Sequence, residues 1–201
     1  MIRRAIGVGI AALLAAAVAS CSILPKAETR DIYVLPTATR VTPTASPPLT
    51  WSLRVNTPKV SGFLDSNRIA VMPDASRITV YQGARWSDDA AILVRDRLVD
   101  AFRADARLAL VSNGEASERA DRALDGQLRS FQTEYINGVP IVVIRYDAQV
   151  VEVGTRRIIA TKSFEARSTP RGNDVPSAVN AFGIASDALT TDVVAWVVGL
   201  R

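Results

Sequence analysis

The sequence predicts an α+β domain, a largely antiparallel sheet packed on two helices. Three observations carry this prediction. Short apolar runs that alternate with polar residues recur between turn clusters, which is the pattern of half-buried strands joined as hairpins. Two longer stretches switch to apolar spacings of three and four, the period of an amphipathic helix. The resulting order, β-β-β-α-β-β-β-β-α, joins most strands by short turns, and short turns favour antiparallel neighbours.

The elements follow in order. Trp51, Leu53 and Val55 alternate with Ser52 and Arg54 and mark a first strand. Residues 68–72 and 77–81 form two more around the turn cluster Pro73-Asp74-Ala75-Ser76. The period then changes over residues 87–105, where Ala91, Val94, Leu98, Ala101 and Phe102 share one helical face. Asp88 and Asp89 stand at its start, where negative charge suits the positive end of the helix dipole. Residues 108–111 are a short strand closed by Asn113-Gly114. Within residues 123–135, Leu124, Gly126 and Leu128 lie on one face, and Phe131 breaks the parity, which predicts a bulge near Ser130. Val142, Ile144, Tyr146, Ala148 and Val150 fill one face of the next strand. Arg145, Asp147 and Gln149 occupy the middle of its other face, so one side of the sheet meets water. Gly154-Thr155 turns the chain into a partner strand at residues 157–167. A last helix begins near Pro176, just after Asp174, and carries Val179, Phe182, Leu189, Val193, Trp196 and Leu200 on one side.

What precedes the domain is equally patterned. Arg3 and Arg4 form a positive start, residues 6–18 are apolar and uncharged, and Val18-Ala19-Ser20 lead into Cys21. An apolar run of about 13 residues is shorter than the ~20 a spanning helix needs. Val18-Ala19-Ser20-Cys21 resembles the bacterial lipobox, in which the thiol takes a diacylglyceryl group and cleavage makes the cysteine the new N-terminus. On that reading residues 1–20 are a lipoprotein signal peptide and Cys21 is the lipid attachment. Several acyl chains on one residue give a stable anchor. Ser22, rather than Asp, follows the cysteine, which by the sorting rule for such lipoproteins points to the periplasmic face of a Gram-negative outer membrane. Residues 37–50 are rich in Thr, Pro and Ala, so residues 21–50 read as a Pro/Thr-rich tether before a domain at 51–201. Roughly 30 extended residues span at most about 100 Å. Inside the tether, Asp31-Ile32-Tyr33-Val34-Leu35-Pro36 is a β-type run suited to dock on the domain as a short extra strand at 31–36.

Composition removes most chemistry. The 201 residues include one Cys and no His, so the usual metal ligand and general base is missing and the only thiol is committed to lipid. The chain has 24 Lys and Arg against 20 Asp and Glu, and with Arg3 and Arg4 removed the excess is two. Twenty-one of the basic residues are Arg, scattered without a run or aromatic interleaving, a poor match to nucleic-acid binding. Asp88-Asp89 is the sole adjacent acidic pair and sits where a helix start requires acids. Phosphate loops and nucleophile elbows are absent from the sequence. The chemistry therefore predicts a non-enzyme without cofactor or metal. Four residues are candidates for a partner interface. Trp51 stands beside the tether, Trp86 stands at a strand–helix corner, where core packing competes with contact, and Val143 and Val151 lie on the half-polar strand face.

These residues together resemble a known family. After the lipobox come Tyr33-Val34-Leu35-Pro36, then Leu53-x-Val55-x-x-Pro58 and Phe63-Leu64-Asp65-Ser66-x-Arg68-Ile69. Tyr81-x-x-Ala84-x-Trp86 runs into a helix with Leu98-x-x-Ala101-Phe102, and Gly154-Thr155-Arg156-Arg157-Ile158-Ile159-Ala160-x-x-x-Phe164 precedes the closing helix. In order and spacing they resemble the ABC-type transport auxiliary lipoprotein component family, across nearly the whole mature chain. The resemblance implies a lipid-anchored, non-enzymatic partner of a mammalian-cell-entry-type lipid transporter, working beside a mammalian-cell-entry domain protein and its ABC permease and ATPase. It also implies a homo-oligomeric ring. It supplies no catalytic residues. The same features suit an assembly or stabilising lipoprotein of another envelope export machine. A periplasmic hydrolase is the third reading.

Overall fold

Strand β6 (Arg122–Ile136) is the spine on which the other strands are arranged. The computed structural model describes residues 30–37, 48–114 and 119–200, so the signal peptide, Cys21 and most of the tether lie outside the described residues. On one side β6 pairs antiparallel with β7 (Val139–Glu152), which pairs antiparallel with β8 (Arg157–Ser168). The β6–β7 turn is Asn137-Gly138, both at positive φ (54° and 79°), the backbone that a tight two-residue hairpin requires.

The other side of β6 overturns the largely antiparallel expectation: the sheet is mixed. β2 (Leu53–Val55) and β3 (Arg68–Asp74) lie one after the other along β6, both parallel to it, with Leu53 opposite Arg122 and Ala70 opposite Gln132. A loop containing the 3-10 turn Gly62–Leu64 carries the chain from one to the other in the same direction. β5 (Val111–Ser112) adds parallel to β2, and β4 (Arg77–Trp86) returns antiparallel on β3. β1 (Asp31–Tyr33) completes the sheet as an edge strand parallel to β4, within the 31–36 segment expected to dock. Apolar alternation reports which face a residue takes and carries nothing about strand direction.

One face of this sheet is covered by α1 (Ala90–Asp105) and α2 (Val175–Val198). Leu124, Leu128, Phe131, Val142, Ile144, Tyr146 and Val150 point into that layer at 1% exposure or less, against Leu98 and Phe102 of α1 and Phe182, Leu189 and Val193 of α2. The pairing shifts by one residue between Leu128 and Ser130, the bulge that returns Phe131 to the helix side. Gly126 leaves room for the Tyr146 ring, since a Cβ there would stand 2.3 Å from it. The buried Tyr146 hydroxyl donates to Asp125 O at 3.2 Å, and burial pushes its pKa well above the ordinary tyrosine value.

Asp174 caps α2 by accepting from the Ser177 amide at 2.7 Å, and hydrogen bonds from Ser177 hold its carboxyl below the usual range. By length and composition α2 passes for a membrane span, but 61% of its most apolar stretch is buried inside the domain, so it is a core helix. Trp196, on its last turns, packs against Phe164 with ring centroids 5.5 Å apart.

Candidate functional site

The most built-up site on the molecule is the place where the N-terminal segment crosses the helices. After β1, the chain continues over the α1–α2 seam, and Leu35 is buried there. Arg97 of α1 reaches up to this segment. Its guanidinium donates to Leu35 O at 3.1 Å, to Pro36 O, and to the Thr37 hydroxyl at 2.5 Å. The same guanidinium faces Asp187 of α2 at 3.4 Å, and the two side chains are only 9% and 11% exposed. A nearly buried ion pair is strong when its spare hydrogen-bonding positions are also filled, and three of the arginine's are filled by the incoming chain. Close approach is permitted by Gly183, where an added Cβ would stand 2.6 Å from Pro36 O. At the segment's other end the Ser87 amide donates to Tyr33 O at 2.8 Å, tying β1 to the start of α1. Together these groups form a clip for a strand of main chain. No group in it is placed to make or break a bond.

Trp86 stands opposite Tyr33 in the β1–β4 ladder. It is 1% exposed, with ring centroids 5.7 Å from Phe131 and 5.1 Å from Phe182. It is therefore core and not partner surface, because β4 ends with this side chain turned toward the helices. Val143 is also removed from any surface. It stands between Gln132 and Arg167 on the outer sheet face at 0% exposure. Val151 is half-buried near the far end of β7. Trp51 is half-buried too, with the Arg122 guanidinium 4.2 Å above its ring. The four candidates do not come together at one site.

The uncovered face of β6, β7 and β8 is polar and internally paired. Arg145 contacts Glu134 at 2.7 Å and Glu165 at 2.6 Å, and Arg167 reaches Glu165 at 2.6 Å. Hydrogen bonds from Arg167 and then Arg145 hold the Glu165 carboxyl below its ordinary value. Further along, a trough of about 630 Å³ is lined by Asp125, Gln127, Asp147 and Gln149, with Lys59 and Lys162 at its sides. Its carboxylates are engaged: Asn56 donates to Asp125 at 2.6 Å and Ser163 to Asp147 at 2.7 Å. Among the described residues no cluster of three or more acidic, Cys or His side chains is placed to hold a metal. Asp89 takes the N-cap position of α1, adjoining Asp88, so that pair marks a helix start.

Sequence reasoning missed the Arg97–Asp187 clip. Its one legible signal was Gly183, a glycine inside an otherwise apolar helix, which marks a close backbone approach.

Residues 33–194 match the family described as ABC-type transport auxiliary lipoprotein component. The crystal structure of protein XCC0632 from Xanthomonas campestris is similar with a TM-score of 0.76 at 29% identity, over 83% of this chain and 94% of that one. The hypothetical protein CT253 from Chlamydia trachomatis shares the fold at 12% identity and a TM-score of 0.51, over 75% of this chain and 98% of that one. Among curated proteins, none matches the chain.

Proposed function

The chain belongs to the ABC-type transport auxiliary lipoprotein component family, and from that premise we propose that it is the lipid-anchored docking component of an intermembrane lipid transport system of the mammalian-cell-entry type. In this reading Cys21 carries the acyl chains and holds the domain on the periplasmic face of the outer membrane. The domain there receives the periplasmic end of an assembly whose inner-membrane permease and ATPase supply the energy.

The observation that carries the proposal is the clip. Residues 31–37, within the first described stretch after the cysteine, are bound into the fold by β1, Arg97 and Gly183. A segment held this firmly in the domain, ten residues after the proposed anchor, suits a component that holds others in place. The paired carboxylates and engaged polar face favour docking over turnover.

Co-purification from detergent-solubilised membranes tests this. The full-length lipoprotein is expected to bring down a mammalian-cell-entry domain protein. Recovery of an outer-membrane export channel in its place would overturn the reading and favour an assembly factor. Cys21→Ser is expected to abolish acyl labelling and leave an uncleaved or soluble precursor. Normal labelling would remove the anchor.

A further inference from the structure

Ile32 of β1 stands opposite Arg85 of β4, and Arg85 in turn stands opposite Arg68 of β3. Neighbouring strands lie about 4.8 Å apart, so the three Cα atoms form a row about 10 Å long. Tyr33, Trp86 and Ile69, next to them in the chain, all pack in the core on the helix side. Side chains alternate along a strand, so Ile32, Arg85 and Arg68 share the opposite, uncovered face. Val34 follows Ile32 onto it, since the next residue, Leu35, is buried. Arg30, immediately before β1, is exposed. Among the described residues, no carboxylate lies within ion-pair distance of Arg30, Arg68 or Arg85.

Elsewhere on the same face Arg129, Arg145 and Arg167 each have a carboxylate partner. Like charges directly across two strands destabilise the pairing, and Arg68 and Arg85 bear that cost unrelieved. Charge is one device for blunting a sheet edge. It does not explain these two, because β1 covers β4 at Arg85 and β4 covers β3 at Arg68. The edge strand itself shows aliphatic side chains, with Ile32 and Val34 each 71% exposed.

The main chain of this edge is open as well. Tyr33 O accepts from the Ser87 amide at 2.8 Å, so the peptide groups of Tyr33 face β4. Those groups alternate in direction along a strand, and the N–H and C=O of Ile32 and Val34 therefore point away from the sheet. No described strand pairs with them.

We infer that the β1 edge receives an acidic, extended segment of a partner polypeptide as one more strand. Its main chain pairs with Ile32 and Val34, and its carboxylates meet Arg30 and Arg85, with Arg68 adding charge behind them. A lipid surface carries negative charge but has no main chain to fill the edge. A second copy set edge to edge would bring arginine against arginine. The inference deepens the docking role proposed above and rests on it.

The probe is a fluorescent peptide of alternating glutamate and valine, titrated with the full-length acylated lipoprotein in detergent micelles and followed by anisotropy. Saturable binding is expected, about tenfold tighter than for the same peptide with glutamine in place of glutamate. Backbone N-methylation of the peptide removes its edge donors and is expected to abolish binding. Arg85→Gln should weaken binding about fivefold, and Arg30→Gln, at an exposed site outside the strand, about threefold. Equal binding of the glutamine or the N-methylated peptide would overturn the inference, as would unchanged binding in both variants. Displacement of the peptide by phosphatidylglycerol added to the micelles would also overturn it, and would assign the surface to lipid. Co-purification separates this inference from the transporter reading. Peptide that fails to bind while a mammalian-cell-entry protein is recovered refutes the edge alone. Peptide that binds while no such protein is recovered refutes the transporter and supports the edge.

Discussion

The two ends of the described chain are fastened to the body by different physics. The N-terminal segment crosses the helices under a nearly buried ion pair, with an arginine donating to its carbonyls and a glycine making space beneath it. The C-terminal end is held at the surface. Arg122 donates to Leu200 O at 3.1 Å and lies 4.2 Å over the half-buried Trp51. Both are arginine-to-carbonyl attachments, but water competes with the second and is excluded from most of the first. The difference teaches where load is expected. The buried fastening holds residues 35–37, and the solvated one holds the last described turn of the domain.

Substitutions that break the comparison should rank accordingly. Gly183→Val has the largest expected effect, because its Cβ would stand 2.6 Å from Pro36 O in a packed seam. Overpacking of this kind costs about 3 kcal/mol, and urea denaturation should show it together with rapid proteolysis near residue 37. Arg97→Met comes next, at about 2 kcal/mol, since it removes the part-buried donor of three acceptors on the incoming segment. The same protease assay should show the segment released. Arg122→Met is expected to cost about 1 kcal/mol and to leave residues 31–37 protected.

How far this was legible in the sequence differs by level. Both helices and the bulge at Ser130 followed from periodicity, because side-chain parity is set by burial. The parallel placement of β2 and β3 along β6 did not, because direction depends on a connecting loop that periodicity does not describe. Trp86 and Val143 were candidates for a surface and are both buried. Trp86 stands at the strand–helix corner expected of it, yet a corner is exposed only if nothing covers it. The covering rings are Phe131 of β6 and Phe182 of α2, far from Trp86 in the chain. Arg97 looks like any exposed helix arginine until Asp187, ninety residues away in the chain, is placed beside it.

The smallest expected effect concerns the polar face and depends on pH. Arg167 and Arg145 lower the Glu165 carboxyl from its ordinary value of 4.5. A carboxylate lowered on folding adds stability above its unfolded value and loses it as pH falls through the lowered one. Arg167→Met should therefore be slightly less stable than the parent at pH 7. The gap should close as pH drops below the ordinary carboxylate range, and urea titrations at both ends of that range measure it.

Residues 31–37 are part of the fold. Hydrogen exchange of the full-length lipoprotein, read on a peptide spanning residues 31–37, tests it most directly. Protection comparable to that of β4 is expected, lost in Arg97→Met while β6 and β7 stay protected. Exchange of residues 31–37 at the rate of an unstructured peptide in the parent protein would contradict it.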